Sequence, residues 1–533
     1  MAKNKHKNKT LPKFQNKGYS ETGASHTRKA FKGFTAKSGS PNEDINYNNM
    51  TLRERARVLN MSGGLAMSAL KTTRTNVIGC GLILKSVIDK DVLGLSDEQA
   101  SAWQEQAEKE FELWAENKNH CDAYGLNDYY KIQQLVFMNT LMNGDCFTLK
   151  AYNEKAVTPM LPYSLRLKVI EADRVQTPSD VGVGGALYAA TDGKTQSGNR
   201  IYDGVEVDKQ GKVVAYHIRN NYRFEMNAEP TEWTRVEAYG KETGLPNVIH
   251  TMADVERPCQ YRGVPFIAPV IEQILQIRRY TDSELTAAVV ESLFTAFVKT
   301  EANTDTIPFN DIPQDGEPIA LNDNEYEMGA GNVLVMRPGE DVTFADPKRP
   351  AGGFQNFVEA VAVQIGASLE ISKEILLKQF NSSYSASRAA LLEFWKVVKM
   401  RREWFVSDFC RPTYEAFIYE AVARGRLKAP GFFDDPIKRL AWLGATFSGP
   451  SQGMLDPIKE VTAEIMACEQ GFSSRAESTM RLNGSEFSKN ISALRKENPL
   501  LFEANSVNAL SDVIKNEVVK AINEQDEQPK QEE

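Results

Sequence analysis

The chain has 533 residues, 41% of them hydrophobic and 25% charged, with a formal net charge of −8. That length exceeds one ordinary core, so several packed units are expected, and the balance is that of a globular protein. The apolar runs fall short of the roughly 18 uncharged residues that a bilayer span requires, so neither a membrane helix nor a cleavable signal is expected. Six scattered cysteines, Cys80, Cys121, Cys146, Cys259, Cys410 and Cys468, have no paired spacing. They read as reduced thiols of a cytoplasm-like compartment, each a small buried apolar residue.

From Met1 to Ser40, ten Lys or Arg face the single acid Glu21, a charge of +9 that leaves −17 on everything after it. With few large apolar residues, this basic arm (1–45) reads as disordered. Its lysines, Lys3, Lys5, Lys7 and Lys9 among them, suit nucleic acid through counterion release, an acidic protein surface, or simple solubility. Apolar residues at helical spacing on a basic surface then predict a helix over 46–79, and "CGLILKSVI" a strand. Ser96 is placed to cap a helix through Trp103, Phe111 and Trp114, with Asp97 and Glu98 in its first turn. Another helix is expected over Asp128–Met142. "GVEVDKQGKVVAYHIR" reads as a strand pair, with Val205 and Val207 alternating with polar residues and Gly211 in the turn. The first half is therefore α+β, its strands gathered between about 145 and 260.

The second half is more helical. After "RGVPFIAPV", whose prolines suit a helix start, a helix is expected over Ala268–Lys299. Pro, Asn, Asp and Gly crowd residues 303–331, and "NVLVM" then reads as a short strand. A helix over Phe354–Ile365 is expected to end at a left-handed Gly366. The uncharged patch Asn381–Ala386 opens into a helical pattern over Ala386–Arg424 broken only at Pro412, with a stripe of Leu391, Phe394, Trp395, Val398, Phe405 and Phe409 interrupted by Arg401 and Arg402. From Pro457 short helices dominate, and Gln525–Glu533 is polar and mostly acidic.

Catalytic signatures are lacking in the sequence. "GPSQG" at 449–453 has the letters of a nucleophile elbow, but no His follows His250. "DGKT" at 192–195 resembles the end of a phosphate loop, yet Tyr188 stands where the first glycine belongs. The five His fall in no ligand spacing, and the adjacent His120 and Cys121 are too few for zinc. No catalytic residue, metal or cofactor is expected.

"VIHTMADVERPCQYRGVPFIAPVIEQILQIRRYTDSELTAA", "GVEVDKQGKVVAYHIR" and "SSYSASRAALLEFWKVVKMRREWF" resemble characteristic segments of the lambda-type portal proteins of tailed bacteriophages. "RARVLNMSGGLAMSALKTTRTNVIGCGLIL" and "LDPIKEVTAEIMACEQGFSSRAE" resemble the same family in the same order, so the likeness spans about 46–485. The resemblance implies a homo-oligomeric ring, usually of twelve subunits, at one capsid vertex of the virion, assembled in the bacterial host cytoplasm. It implies as partners a terminase large subunit, a head-tail connector, major capsid or scaffolding protein, and double-stranded DNA in the channel, but no membrane.

Placed on this chain, the resemblance implies a portal-type fold with an α/β wing (46–264), a stem helix (265–299), a clip (300–350), a second stem helix with tunnel loop and long helix (351–424), a return to the wing (425–456), and a helical crown with acidic tail (457–533). Asn381, Ser382, Ser383, Tyr384 and Ser385 would form the tunnel loop. In the clip, Asp311, Asp315, Glu317, Asp323, Glu325 and Glu327 would dock on terminase or connector. Neutral hydrogen-bonding groups at the constriction would let a polyanion slide, where a ring of Lys or Arg would brake it. A nucleic-acid-processing enzyme or DNA-binding factor with a dispersed carboxylate site is the alternative from a different class.

Overall fold

The computed structural model describes residues 19, 23–179, 192–226, 229–293, 297–300, 340–343, 353–380, 383–453, 456–484, 487 and 490–499. Helix α1 (Pro41–Met61) opens on a full capping box between Ser40 and Glu43. It ends at Ser62, because Gly63 and Gly64 both take positive φ and break the single helix expected over 46–79; α2 (Gly64–Val77) resumes beyond them. Strand β1 (Ile83–Ser86) and the short helix α3 (Lys90–Leu93) lead to α4 (Asp97–Ala115). Ser96 caps α4 as expected, in a capping box with Gln99. The one-turn α5 (Lys118–Cys121) precedes α6 (Tyr129–Asn143), which Asp128 caps.

Sheet structure occupies the middle of the chain. Strands β2 (Asp145–Tyr152), β3 (Leu165–Glu171) and β9 (Val248–Met252) form an antiparallel sheet in the order β3-β2-β9. A second antiparallel sheet runs β4 (Asp192–Lys194), β5 (Arg200–Tyr202), β6 (Val205–Val207), β7 (Val213–Arg219) and β8 (Trp233–Glu237) in chain order. Gly211 takes the expected turn position with φ of 88°. The expected alternation in β6 does not hold, since Glu206 is as buried as Val205 and Val207. Its carboxylate is satisfied there by Arg235, His217 and Asn199. The "DGKT" letters begin in β4, paired to β5, and form no phosphate loop.

Helix α7 (Ile271–Leu293) follows a 3-10 turn at Ala268–Val270 and stops short of the expected Lys299. Residues Phe297–Thr300 instead form β10, paired antiparallel with β11 (Glu340–Thr343). The expected "NVLVM" strand lies outside the described residues. Helix α8 (Phe354–Ser368) runs through Gly366, and the chain reverses at Glu370, whose φ is 56°. Gly366 serves close approach instead, since a Cβ there would strike the Ile371 carbonyl. After α9 (Lys373–Leu377) come α10 (Tyr384–Phe405), a π-helical turn at Val406–Cys410, and α11 (Arg411–Ala423). The π-turn ends two residues before Pro412, whose missing N–H would otherwise interrupt the ladder. Helix α12 (Pro436–Trp442) and β12 (Ala445–Ser448), which pairs with β1, return the chain to its beginning. Helices α13 (Pro457–Glu469) and α14 (Arg475–Asn483) follow.

Two cores meet across β2. One joins α1, α2, α4, α6, α10 and α11 around Phe111, whose ring lies 5.2 Å from Phe417 and 5.4 Å from Tyr129. The other fills the space between the two sheets with Phe147, Ile170, Val205, Tyr216 and Ile218. Cysteines Cys121, Cys146 and Cys410 are buried as expected, but Cys80 and Cys259 are exposed and Cys468 is partly so.

At the start of β2, Asp145 is fully buried and holds the densest ionic contact among the described residues. Arg262 Nε donates to its Oδ2 at 2.6 Å and Nη2 to its Oδ1 at 3.2 Å, Arg53 adds a contact at 3.5 Å, and the Gly263 N–H a bond of 3.0 Å. Arg262 also donates to the carbonyls of Ala172, Val175 and Asp203. Burial alone would raise the Asp145 pKa, but the Arg262 and Arg53 guanidiniums reverse this and hold the carboxyl well below the usual range. Substituting Asp145→Ala removes the fully buried anion of the cluster and leaves Arg53 and Arg262 to share the partly exposed Asp203, and urea unfolding should show a loss of about 3 kcal/mol. The pKa is depressed on folding, so this stability is present above the unfolded value near pH 4 and lost below it. With the isosteric Asp145→Asn, the gap to wild type should narrow by about 1.4 kcal/mol per pH unit below about pH 4.

Candidate functional site

Two helices leave the body together. The first turns of α7 are seated in the core by Ile271, Ile274 and Ile277, whereas Leu285 and Val289 farther along are exposed. Helix α8 reverses that order, with exposed Phe357 near its start and buried Ala362 and Ile365 near its end. Tyr280 joins the pair, stacked 5.5 Å from Phe354 and edge-on 4.8 Å from Phe357. At the far end, the β10–β11 pairing brings residues 300 and 340 together and brackets the segment carrying Asp311, Asp315, Glu317, Asp323, Glu325 and Glu327. Those six acids lie outside the described residues, as do Lys3, Lys5, Lys7 and Lys9.

The connection from α8 to α10 is tethered at both ends. Leu369, Ile371, Ile375 and Leu376 are buried, and Ser68 of α2 donates to the Leu376 carbonyl at 2.9 Å. Lys378, at φ of 56°, ends α9 in the left-handed conformation, and the Gln379 N–H returns to Glu374 at 3.0 Å. Ser383 then caps α10, its hydroxyl accepting from the Ala386 N–H. Three of the five residues expected in the loop are thus placed at the start of α10. Tyr384 and the exposed Ser385 belong to the first turn of α10, Ser383 is its cap, and Asn381 and Ser382 lie outside the described residues. A helix start here is favoured because the Ser383 hydroxyl satisfies an N–H that would otherwise be orphaned.

The two arginines that interrupt the apolar stripe turn out to be the mounting of α10. Arg401 lies 4.5 Å over the ring of Phe266 and contacts Glu370 at 3.0 Å and Asp254 at 3.3 Å. One side chain thus joins the long helix, the α8–α9 reversal and the segment leaving β9. Arg402 donates to the carbonyls of Val77 at 2.9 Å, Asn76 at 2.8 Å and Pro450 at 3.0 Å, capping the C-terminal end of α2 where the helix dipole favours a cation. Burial pulls the Arg402 pKa down to about 10, so it remains charged at neutral pH. Pro450 lies within the "GPSQG" letters, which serve this capping contact. Sequence reading missed both arginines, and the one available signal was that two adjacent charges broke an otherwise apolar stripe.

Chemically, this arrangement offers rigid presentation. An uncharged helix start, with Lys378 before it and Arg388 one turn beyond, is held by a helix anchored far behind it. Arg388 is 4.0 Å from Glu460 of α13, which brings α13 beside the start of α10. Among the described residues no cluster of His, Cys, Asp or Glu could hold a metal ion, and no helix is long and apolar enough to cross a membrane. His120 is buried, its Nδ1 paired with the Leu113 carbonyl.

A family model described as phage portal protein, lambda family, matches residues 27–402. Its match begins inside the basic arm and ends at Arg402. The portal protein of Escherichia phage N15 is 22% identical over 443 residues, covering 79% of this chain and 78% of its own length. Portal protein B of Escherichia phage lambda is 22% identical over 449 residues with the same coverage, and a probable portal protein of Halomonas phage phiHAP-1 is 23% identical over 400 residues, covering 74% and 70%. Among solved structures, a chain from the neck of a native GTA particle computed with C12 symmetry is similar over 82% of this chain and 94% of that one, at 10% identity and a TM-score of 0.40.

If Arg402 mounts the long helix, Arg402→Met should destabilise the protein by about 1–3 kcal/mol in chemical denaturation, because three carbonyls lose their donor. Ser383→Ala should cost no more than about 1 kcal/mol, the loss of one exposed cap.

Proposed function

The chain belongs to the lambda family of phage portal proteins, and from that membership we propose that its copies close into a ring at a single capsid vertex, through which a terminase drives double-stranded DNA inward and through which the DNA later leaves. The match over residues 27–402, with two curated portal relatives aligned over 79% of this chain, is the observation that carries this reading. Portal proteins are structural components, so the chain acts by shape, self-association and the character of its lining. Rings of this kind repeat one heterologous interface until rotation closes. Exposed apolar residues supply material for such an interface: Leu285 and Val289 on α7, Val363 on α8, and Ile465 and Met466 on α13.

In this reading α7 and α8 are the stem, residues 300–350 the clip that meets terminase or connector, and the segment Asn381–Ser385 the narrowest lining of the channel. Neutral groups there exchange contacts with a passing duplex without accumulating the counterion-release affinity that basic groups would add. The mounting by Arg401 and Arg402 supports this placement, because a loop that works on a moving polymer needs a rigid scaffold. The basic arm is assigned to scaffolding protein, capsid or packaged DNA.

Negative-stain images of the purified protein should show annuli with a central hole, and mass photometry a single very large species without intrinsic nuclease or ATPase activity. A monomer with metal-dependent nuclease activity would refute the conduit. Introducing Asn381→Lys with Ser383→Lys should leave rings intact and impair DNA packaging or retention. Normal packaging by that variant would remove the lining role from this segment.

A further inference from the structure

A cavity of about 530 Å³ opens between the C-terminal half of β2 and helix α11, away from the channel segment and from the projecting helices. Its walls include Tyr152, Ser164, Asn247, Tyr419 and Arg424, and Lys150 stands among them. By strand period, Lys150 shares the face of Cys146 and Thr148, which packs on the helical core, and only 6% of the residue is accessible. A lysine so buried ordinarily has a carboxylate within contact distance. Lys150 has none among the described residues. Glu420, the wall's buried acid, is already taken up by the Ser164 and Leu165 N–H groups and by Arg424 at 2.5 Å. Glu154 is held by Arg424 at 2.9 Å. Glu415, one turn before Tyr419 on α11, acts on Lys150 only through space.

We propose that Lys150 is a reactive-amine site, an acceptor for small acyl donors such as acyl phosphates, which the cavity admits and concentrates beside a buried, carboxylate-free ammonium. Burial, opposed by the charge of Glu415, lowers the Lys150 pKa to about 8, so near that pH half of the side chains carry the neutral nucleophile. In the reaction the amine lone pair attacks the acyl carbonyl carbon and a C–N bond forms. The bond from that carbon to the phosphate oxygen breaks, phosphate leaves with the electron pair, and the proton lost from nitrogen goes to solvent. No oxidant or reductant is involved. The product is a neutral amide, which leaves Arg439 as the cation still acting on Glu415.

Of the polar groups on the cavity walls, the Ser164 hydroxyl already donates to Glu420 and the Asn247 amide to the Glu237 carbonyl, which leaves the Thr243 hydroxyl to donate to an acyl phosphate's oxygens. An ordinary lysine is only about 0.4% neutral at pH 8, against about 50% for a group titrating there. Lower basicity also lowers intrinsic nucleophilicity, which reduces the net advantage to roughly ten-fold.

The test treats purified full-length protein with substoichiometric acetyl phosphate across pH 6.5 to 9.5 and quantifies acetylation of each lysine by mass spectrometry. Lys150 should be labelled about ten-fold faster than exposed Lys209 at pH 8, with its rate levelling above about pH 8 while that of Lys209 continues to climb. In an Ala416→Trp variant, which fills the cavity and leaves the amine in place, Lys150 labelling should fall while Lys209 labelling is unchanged. Retention of the native thermal transition by that variant is the folding control, and Ala423→Trp at the cavity's other end is the substitute if it fails. Labelling of Lys150 no faster than Lys209, or a Lys150 rate that climbs in parallel with it beyond pH 9, would overturn the assignment.

Discussion

A single carboxylate sealed between two cores sets the constraint on which the architecture rests. Asp145 begins the strand that both cores share, and it is matched by guanidiniums from α1 and from the segment that leads into α7. Neither arginine is near it in sequence, so the contact forms only when the amino-terminal helices, the central sheet and the approach to α7 are all in place. Buried ion pairs contribute little net stability over apolar packing of the same volume. Their effect here is to fix register: one-residue slippage of β2 would turn Asp145 from the inter-sheet face, which it shares with Phe147, toward the helical core and away from Arg53 and Arg262. Gly144 and Gly263 permit this geometry, since a Cβ on either would overlap the backbone of the other.

From that fixed point the long helix is positioned by a second set of arginines. Arg401 and Arg402 are adjacent on α10 yet reach different structures, one the α8–α9 reversal and the other the end of α2. Adjacent residues on a helix point about 100° apart, so the pair clamps the helix against rotation as well as translation. The π-helical turn just beyond adds one residue to the ladder, which lets Pro412 follow without ending the rod and carries Phe409 and Phe417 into the common core. What projects from this assembly, the α7–α8 pair and the start of α10, is therefore attached to one rigid body.

Much of this was legible in the letters. Helix α4 announced itself through Ser96 and the spacing of Trp103, Phe111 and Trp114, and the β6–β7 pair through its alternation around Gly211. The family resemblance placed α7, α8 and α10 in order. Boundaries failed where backbone geometry decides: Gly63 and Gly64 divide a helix whose apolar periodicity runs straight through them, and the reversal after α8 falls on Glu370, a residue with no turn propensity, because Gly366 is needed for close approach. The ionic clusters were invisible, since sequence shows that Arg262 and Asp145 are charged and not that they are buried together. Within the channel candidate, composition foretold neutrality, but nothing in Ser383 alone distinguished a cap from a loop residue.

Under the proposed conduit role, the same clusters bear on how the chain would pass DNA without holding it. Beyond Ser40 the chain carries −17, and among the described residues Arg53, Arg262 and Arg401 are all buried and committed to internal acids, while Arg402 is committed to backbone carbonyls. Arginine is the side chain best shaped to grip phosphate. Turning these four inward removes them from any polyanion and uses their forked donors to join elements distant in sequence. What remains outward is acid-rich, and within about 10 Å of a duplex at physiological salt such a surface repels. Under the proposed conduit role, internal cohesion and external slipperiness then have a common origin: the guanidiniums that lock the body together are the ones that would otherwise slow the DNA.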